Sequence, residues 1–180
     1  NKNLDKLVDE IIKFKPLEII IINNKSEADN SKNTNDTVKY YNITEKKNAS
    51  TNRNYGALKA KGDFLLFIDD DVLIDSKYIY NNFVNAKIKH DLIFGMYSEI
   101  NNNIDFLNHF QNKIQMHRTL ECNTFSSSHF LINKETFENL NGFNEELDSY
   151  EDCEFYYRCI HEKVDSFFDK NFLGTHLKKH

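Results

Sequence analysis

Five apolar residues in a row, Phe64-Leu65-Leu66-Phe67-Ile68, run without a break into three carboxylates, Asp69, Asp70 and Asp71. Such a run has no polar face. It predicts a strand covered on both sides, as in an α/β sheet, rather than a surface strand with one wet face. Ligands of open α/β sheets bind beyond the carboxyl ends of strands. Three carboxylates packed at such an end repel one another unless something positive sits among them. A hard divalent cation suits that site, because carboxylate oxygens bind Mg2+, Mn2+ or Ca2+. A solvated acidic turn capping the following helix suits it too, and the segment alone leaves both readings open.

The rest of the chain alternates helical and strand patterns. Leu4, Leu7, Val8, Ile11 and Ile12 recur at helical spacing up to Pro16. Leu17 to Ile22 predicts a strand buried on both faces, Asn23 to Asp36 a polar loop, and Val38 to Ile43 a second strand. Ser50 to Lys61 predicts a helix with Gly62 at its C-terminal cap. Asp75 or Ser76 can cap the next helix, which carries Ile79, Phe83 and Val84. Leu92 to Met96 and Ser126 to Ile132 read as strands, Lys134 to Leu140 as a helix stopped by Gly142, and Glu151 to Glu162 as another helix. Val164 to Phe168 and Phe172 to Thr175 read as two short strands. Between them in order, Asn103 to His117 has a helical stripe of Phe106, Leu107, Phe110 and Ile114. Core packing, an acceptor flap or a membrane-touching surface would each use such a stripe. The expected class is α/β, one domain over residues 1–180. It opens on a helix where such domains open on a strand, so the sheet is expected to lack its first strand.

Composition narrows the partners. The formal charge of −5 argues against a nucleic-acid binder, which needs a basic face. No apolar run reaches the roughly 18 residues of a membrane span, and the first residues lack the pattern of a secretory signal. Cys122, Cys153 and Cys159 are odd in number and lack zinc-site spacing. They read as reduced thiols that partly fill the core, and a cytoplasmic location is expected.

Two further segments carry chemistry. In SYEDCEF, Glu151 and Asp152 stand where a loop enters a helix. Acids favour a first helical turn for the dipole alone, yet a carboxylate there can also act as a base toward a hydroxyl. In the terminal GTHLKKH, His176 can offer an imidazole to a cation, with Lys178, Lys179 and His180 near phosphate.

Taken in order, these pieces resemble glycosyltransferase family 2, which has the GT-A nucleotide-diphospho-sugar transferase fold, a Rossmann-like mixed sheet flanked by helices. NASTNRNYGALKAKGDFLLFIDDDV looks like the family signature, with Arg53, Asn54, Gly56, Ala60, Gly62 and Asp63 in register before the Asp-x-Asp motif. The later half, from FSSSHF through GFNEELDSYEDCEF to LGTHL, is similar to galactosyltransferase and chondroitin-polymerase-like members. The resemblance implies a nucleotide-sugar-binding half over 1–100 and an acceptor half over 101–180. It implies Asp71, Asp69 and His176 as ligands of Mn2+ or Mg2+. Asp69 or Asp70 would touch the ribose or a metal-bound water, and Arg53 and Asn24 would lie at the nucleotide. Asp152 would be the base, Glu151 would orient the acceptor, and Ser127 and Ser128 would shape the sugar pocket. The implied reaction is inverting transfer from a UDP-sugar to a glycan or lipid-linked acceptor. Capsule or lipo-oligosaccharide synthesis is the implied setting, with peripheral contact at the inner face of the membrane.

Departures from the pattern are specific. Asn23-Asn24-Lys25-Ser26 stands where the family commonly has Asp-Asp-Gly-Ser, and Ser127-Ser128 replaces a Gly pair. Two other readings therefore compete: a truncated or degenerate domain that binds nucleotide or metal without turnover, and a haloacid-dehalogenase-like phosphatase. Leu73 stands where those phosphatases want Thr or Val.

Overall fold

A computed structural model describes residues 2–23, 36–43, 47–84, 87–99 and 125–176. The expected site residue Asn24, the stripe of Asn103 to His117, Cys122, and Lys178 to His180 lie outside the described residues. Helix α1 (Lys2–Ile12) buries Leu7 and Ile11 and leads to β1 (Ile19–Asn23), which pairs in parallel with β2 (Val38–Asn42). Helix α2 (Ala49–Lys59) precedes β3 (Phe64–Ile68). The acidic triplet then turns the chain into β4 (Val72–Ile74) and α3 (Ser76–Ile79), which widens into a further turn over Tyr80–Val84. There follow β5 (Leu92–Glu99), β6 (His129–Asn133), α4 (Lys134–Asn139), α5 (Glu151–His161) and β7 (Ser166–His176).

The larger sheet has the order β3-β6-β5-β7-β4, with β5 and β7 parallel and the other neighbours antiparallel. Strand periodicity sends alternate residues to opposite faces. Ile93 and Leu131 pack with α1 and β1 on one face. Leu92, Phe94, Phe130 and Ile132 pack with Phe137 and Phe143 and with Phe155 and Cys159 of α5 on the other. Both faces are covered at the central strands β5 and β6, which is why these read as continuous apolar runs, whereas in β3 only Leu65 is buried. Among the described residues, no helix is long and apolar enough to cross a membrane.

The sheet is split. β1 and β2 form a sheet of their own, and among the described residues no strand pairs β1 with β3. A cleft of about 590 Å³ separates them, lined by Ile20 and Ile22 on one side and Leu66 and Ile68 on the other. This gap opens beside β1, against the expectation of a strand buried on both faces. It also explains why β1 alternates buried Ile19 and Ile21 with partly exposed neighbours instead of being covered on both faces.

Several local expectations need correction. Gly62 does not cap α2. The helix ends at Lys59, and Ala60 is already extended at φ −69°, ψ 144°. The Ala60 carbonyl is satisfied by Lys134 Nζ at 2.6 Å, so no left-handed glycine is required. Of the two caps the sequence offers for α3, the structure uses Asp75, which accepts from the Lys77 and Tyr78 amides. The two short terminal strands are one strand, β7, with a bulge opposite Gly95 and Met96. Asp169 stabilises that bulge by accepting from the Asn171 amide at 2.9 Å. Residues 126–128 form a turn rather than the start of a strand, with Ser128 N donating to Ser126 Oγ at 3.3 Å.

Candidate functional site

The acidic triplet is a tight turn. The Val72 amide donates to the Asp69 carbonyl at 3.1 Å, and the Asp69 amide donates to the Ser128 carbonyl at 2.8 Å. The turn carries the chain from β3, one edge strand of the sheet, to β4, the opposite edge. Gly174 of β7 lies close to both β6 and β4, where an added Cβ would meet His129 Nδ1 at 2.6 Å and Val72 Cγ1 at 2.9 Å. Register does the rest: Val72 pairs with His176, so Asp71 falls beside that histidine. Asp71 Oδ2 and His176 Nδ1 are 3.7 Å apart.

Asp69 faces another way. Its Oδ1 accepts from Arg53 Nη2 at 2.9 Å. Its pKa is raised, because burial disfavours the charge more than the Arg53 guanidinium favours it, and Asp71 adds repulsion. Asp70 is exposed and lies at the end of the cleft that reaches Asp69 and Arg53.

Arg53 also donates from Nη1 to Glu151 Oε1 at 3.0 Å. Glu151 and Asp152 occupy the first turn of α5, and Asp152 Oδ1 accepts from the Cys153 amide at 2.8 Å. The residue before them, Tyr150, has φ +63° and is 77% exposed. A left-handed backbone at a non-glycine residue is uncommon and here lies directly beside the two carboxylates. The approach to α5 is held by α2. Asn54 Nδ2 donates to the Phe143 carbonyl at 2.8 Å and to Glu145 Oε1 at 2.9 Å, while Asn54 Oδ1 accepts from the Phe143 amide at 2.8 Å. Gly142, at φ +63°, passes so close to Asn54 that an added Cβ would lie 2.5 Å from Oδ1.

The structure therefore brings together Asp69, Arg53 and Glu151 as one ion-paired group, and Asp71 with His176 as a second. Ser127 and Ser128 are both buried, at 5% exposure, under the same turn. Sequence reasoning missed His129. It is 1% exposed, with Nε2 3.2 Å from the Phe172 carbonyl and Nδ1 3.2 Å from Ser128 Oγ. A carbonyl only accepts, so Nε2 carries the proton. Burial lowers its pKa. A lone histidine inside an apolar strand pattern gave no signal that it would pair opposite Ile68 at the end of β3 and bond the Phe172 carbonyl of β7.

The donor set can be weighed for a divalent cation. Among the described residues, no group of three His, Cys, Asp or Glu side chains converges as a full cage. Asp71 and His176 do converge. Two protein ligands suit a cation that takes its remaining oxygens from substrate phosphates and water.

The family described as Glycosyl transferase family 2 matches residues 1–164. Among the solved structures that share the fold are two transferases. One is a crystal structure of GalNAc-T7 with UDP, GalNAc and Mn2+, at 16% identity and a TM-score of 0.69, covering 99% of this chain and 41% of that one. The other is the mannosyltransferase PcManGT from Pyrobaculum calidifontis in complex with GDP-Man and Mn2+, at 12% identity and a TM-score of 0.71, covering 97% of this chain and 52% of that one. The chain thus spans about half the length, or less, of these proteins. A search of curated proteins finds no match.

Proposed function

The chain belongs to glycosyl transferase family 2, and from that membership we propose that it transfers a sugar from a UDP-sugar to an acceptor hydroxyl, with inversion at the anomeric carbon. The observation that carries the proposal is the pairing of Asp71 with His176 at 3.7 Å beside the ion-paired Asp69, Arg53 and Glu151. Solved neighbours hold Mn2+ with UDP or a GDP-sugar, which supports a divalent cation and a nucleotide-sugar donor.

Asp71 and His176 would hold the cation, with Asp69 beside them. When bound, such an ion neutralises charge on the diphosphate leaving group. The chain's own residues do the rest. Asp152 takes the proton of the attacking acceptor hydroxyl. Glu151, fixed by Arg53, accepts a hydrogen bond from the acceptor and orients it. A single base, Asp152, fits a single displacement. Asp70 meets the ribose at the mouth of the cleft, Asn24 the nucleobase, and Ser127 and Ser128 border the sugar. The acceptor is a glycan or lipid-linked glycan of a surface polysaccharide, met at the inner face of the membrane. That last part rests on analogy with the family.

The split between β1 and β3 favours a second reading, a domain that binds donor without turnover. Calorimetry of UDP with and without Mn2+, followed by donor hydrolysis and transfer assays, separates the two. Mn2+-dependent binding with transfer supports the first reading, and Mn2+-dependent binding without hydrolysis or transfer supports the second. Binding indifferent to Mn2+ removes the metal from both.

A further inference from the structure

We propose that Arg53 is a positioning residue that couples the donor side of the site to the acceptor side, a role that rests on the transferase reading above. Its guanidinium spans two carboxylates from distant parts of the chain, Asp69 after β3 and Glu151 at the start of α5, at 2.9 and 3.0 Å. The side chain is only 13% exposed, and its guanidinium carbon lies 5.4 Å from the centre of the Phe143 ring. Both prongs and one face are therefore engaged, which restrains the group to one orientation.

The restraint extends along α2. Asn48 caps the helix by accepting from the Thr51 amide, and its Nδ2 donates to the Glu145 and Leu147 carbonyls at 2.8 and 3.1 Å. Asn54 holds Phe143 from the next turn. One face of α2 is thus fastened to the segment that delivers Glu151, while Arg53 reaches from the same helix to the acidic turn. Two carboxylates share one cation. Any ligand that redistributes charge at Asp69 changes the share of Arg53 available to Glu151, and Glu151 adjoins Asp152. By linkage, donor and acceptor must then alter each other's binding equally. Lysine keeps the charge but lacks the planar fork, so it holds one carboxylate at a time.

The test has two arms. In the ligand-free protein, urea midpoints are measured for Asp69→Asn, Glu151→Gln and the double variant, with Arg53 present and again with Arg53→Met. The two carboxylates make no contact except through Arg53 in this proposal, so their shifts are expected to be non-additive with Arg53 and additive with Arg53→Met. In the transfer assay, Arg53→Lys is expected to raise the KM of both donor and acceptor about fivefold or more. Additive shifts in both backgrounds overturn the proposal. So does an Arg53→Lys variant that behaves as the unaltered protein, or that changes the donor KM alone, since that is a nucleotide contact. Should the unaltered protein show no transfer, the transferase reading fails by itself, and the stability arm still decides the coupling.

Discussion

His176 stands 3.7 Å from Asp71 because the antiparallel register of β4 and β7 sets His176 opposite Val72. Neither residue is near the other in sequence, and the pairing exists only once the last strand has docked on β4. If these two hold the cation, Asp71→Ala and His176→Ala should each weaken Mn2+-dependent UDP binding by about tenfold or more, since even outer-shell losses cost that much. Calorimetry checks this. Unchanged Mn2+ dependence in both variants would remove the pair from the metal site.

Asn54→Ala should destabilise the fold. It leaves the Phe143 amide and carbonyl without their partner, and an unmet buried donor costs about 1–3 kcal/mol. Gly142→Ala should cost more than about 1 kcal/mol, from its positive φ and the contact with Asn54. Urea denaturation reads both, and shifts near zero would show that this turn relaxes freely.

His129 should make the fold sensitive to mild acid. Burial lowers its folded-state pKa from the ordinary 6.5. Below 6.5 the unfolded chain binds a proton that the folded chain does not, so stability falls as pH drops from there. The expected slope below about pH 6.5 should flatten in His129→Gln, whatever that substitution does to stability at neutral pH. An unaltered slope would assign the acid response to other groups.

Cys159 is fully buried, and burial pushes its thiol up to about 12. The thiolate is the reactive form, so native protein at pH 8 should leave Cys159 unmodified by iodoacetamide while unfolded protein does not. Mass spectrometry after timed alkylation distinguishes the two, and rapid native labelling would mean that α5 opens readily from the sheet.

Much of the fold was legible because strand and helix periods are local. The predicted bounds of Phe64 to Ile68 and the Asp75 cap agree with the structure. β4 was not legible. Three residues after an acidic turn carry too little pattern, and only pairing with β7 makes them a strand. The predicted break in β7 reflected polar Asp169, Lys170 and Asn171, which the structure absorbs as a bulge against β5. Gly62 looked like a cap because glycine usually ends helices, but a lysine from α4 already served the last carbonyl.

The residue types of the site were determined by the sequence alone. Order and spacing of Arg53, the acidic triplet, Glu151-Asp152 and His176 pointed to one family and its chemistry. Which of them meet was decided by tertiary structure. Asp69 turns to Arg53 and Asp71 to His176, although the two aspartates are two residues apart. Charge attraction is non-directional and cannot choose among several carboxylates. Strand register and the docking of α2 on the turn before α5 can, because hydrogen-bonded backbones fix positions to within an ångström or so.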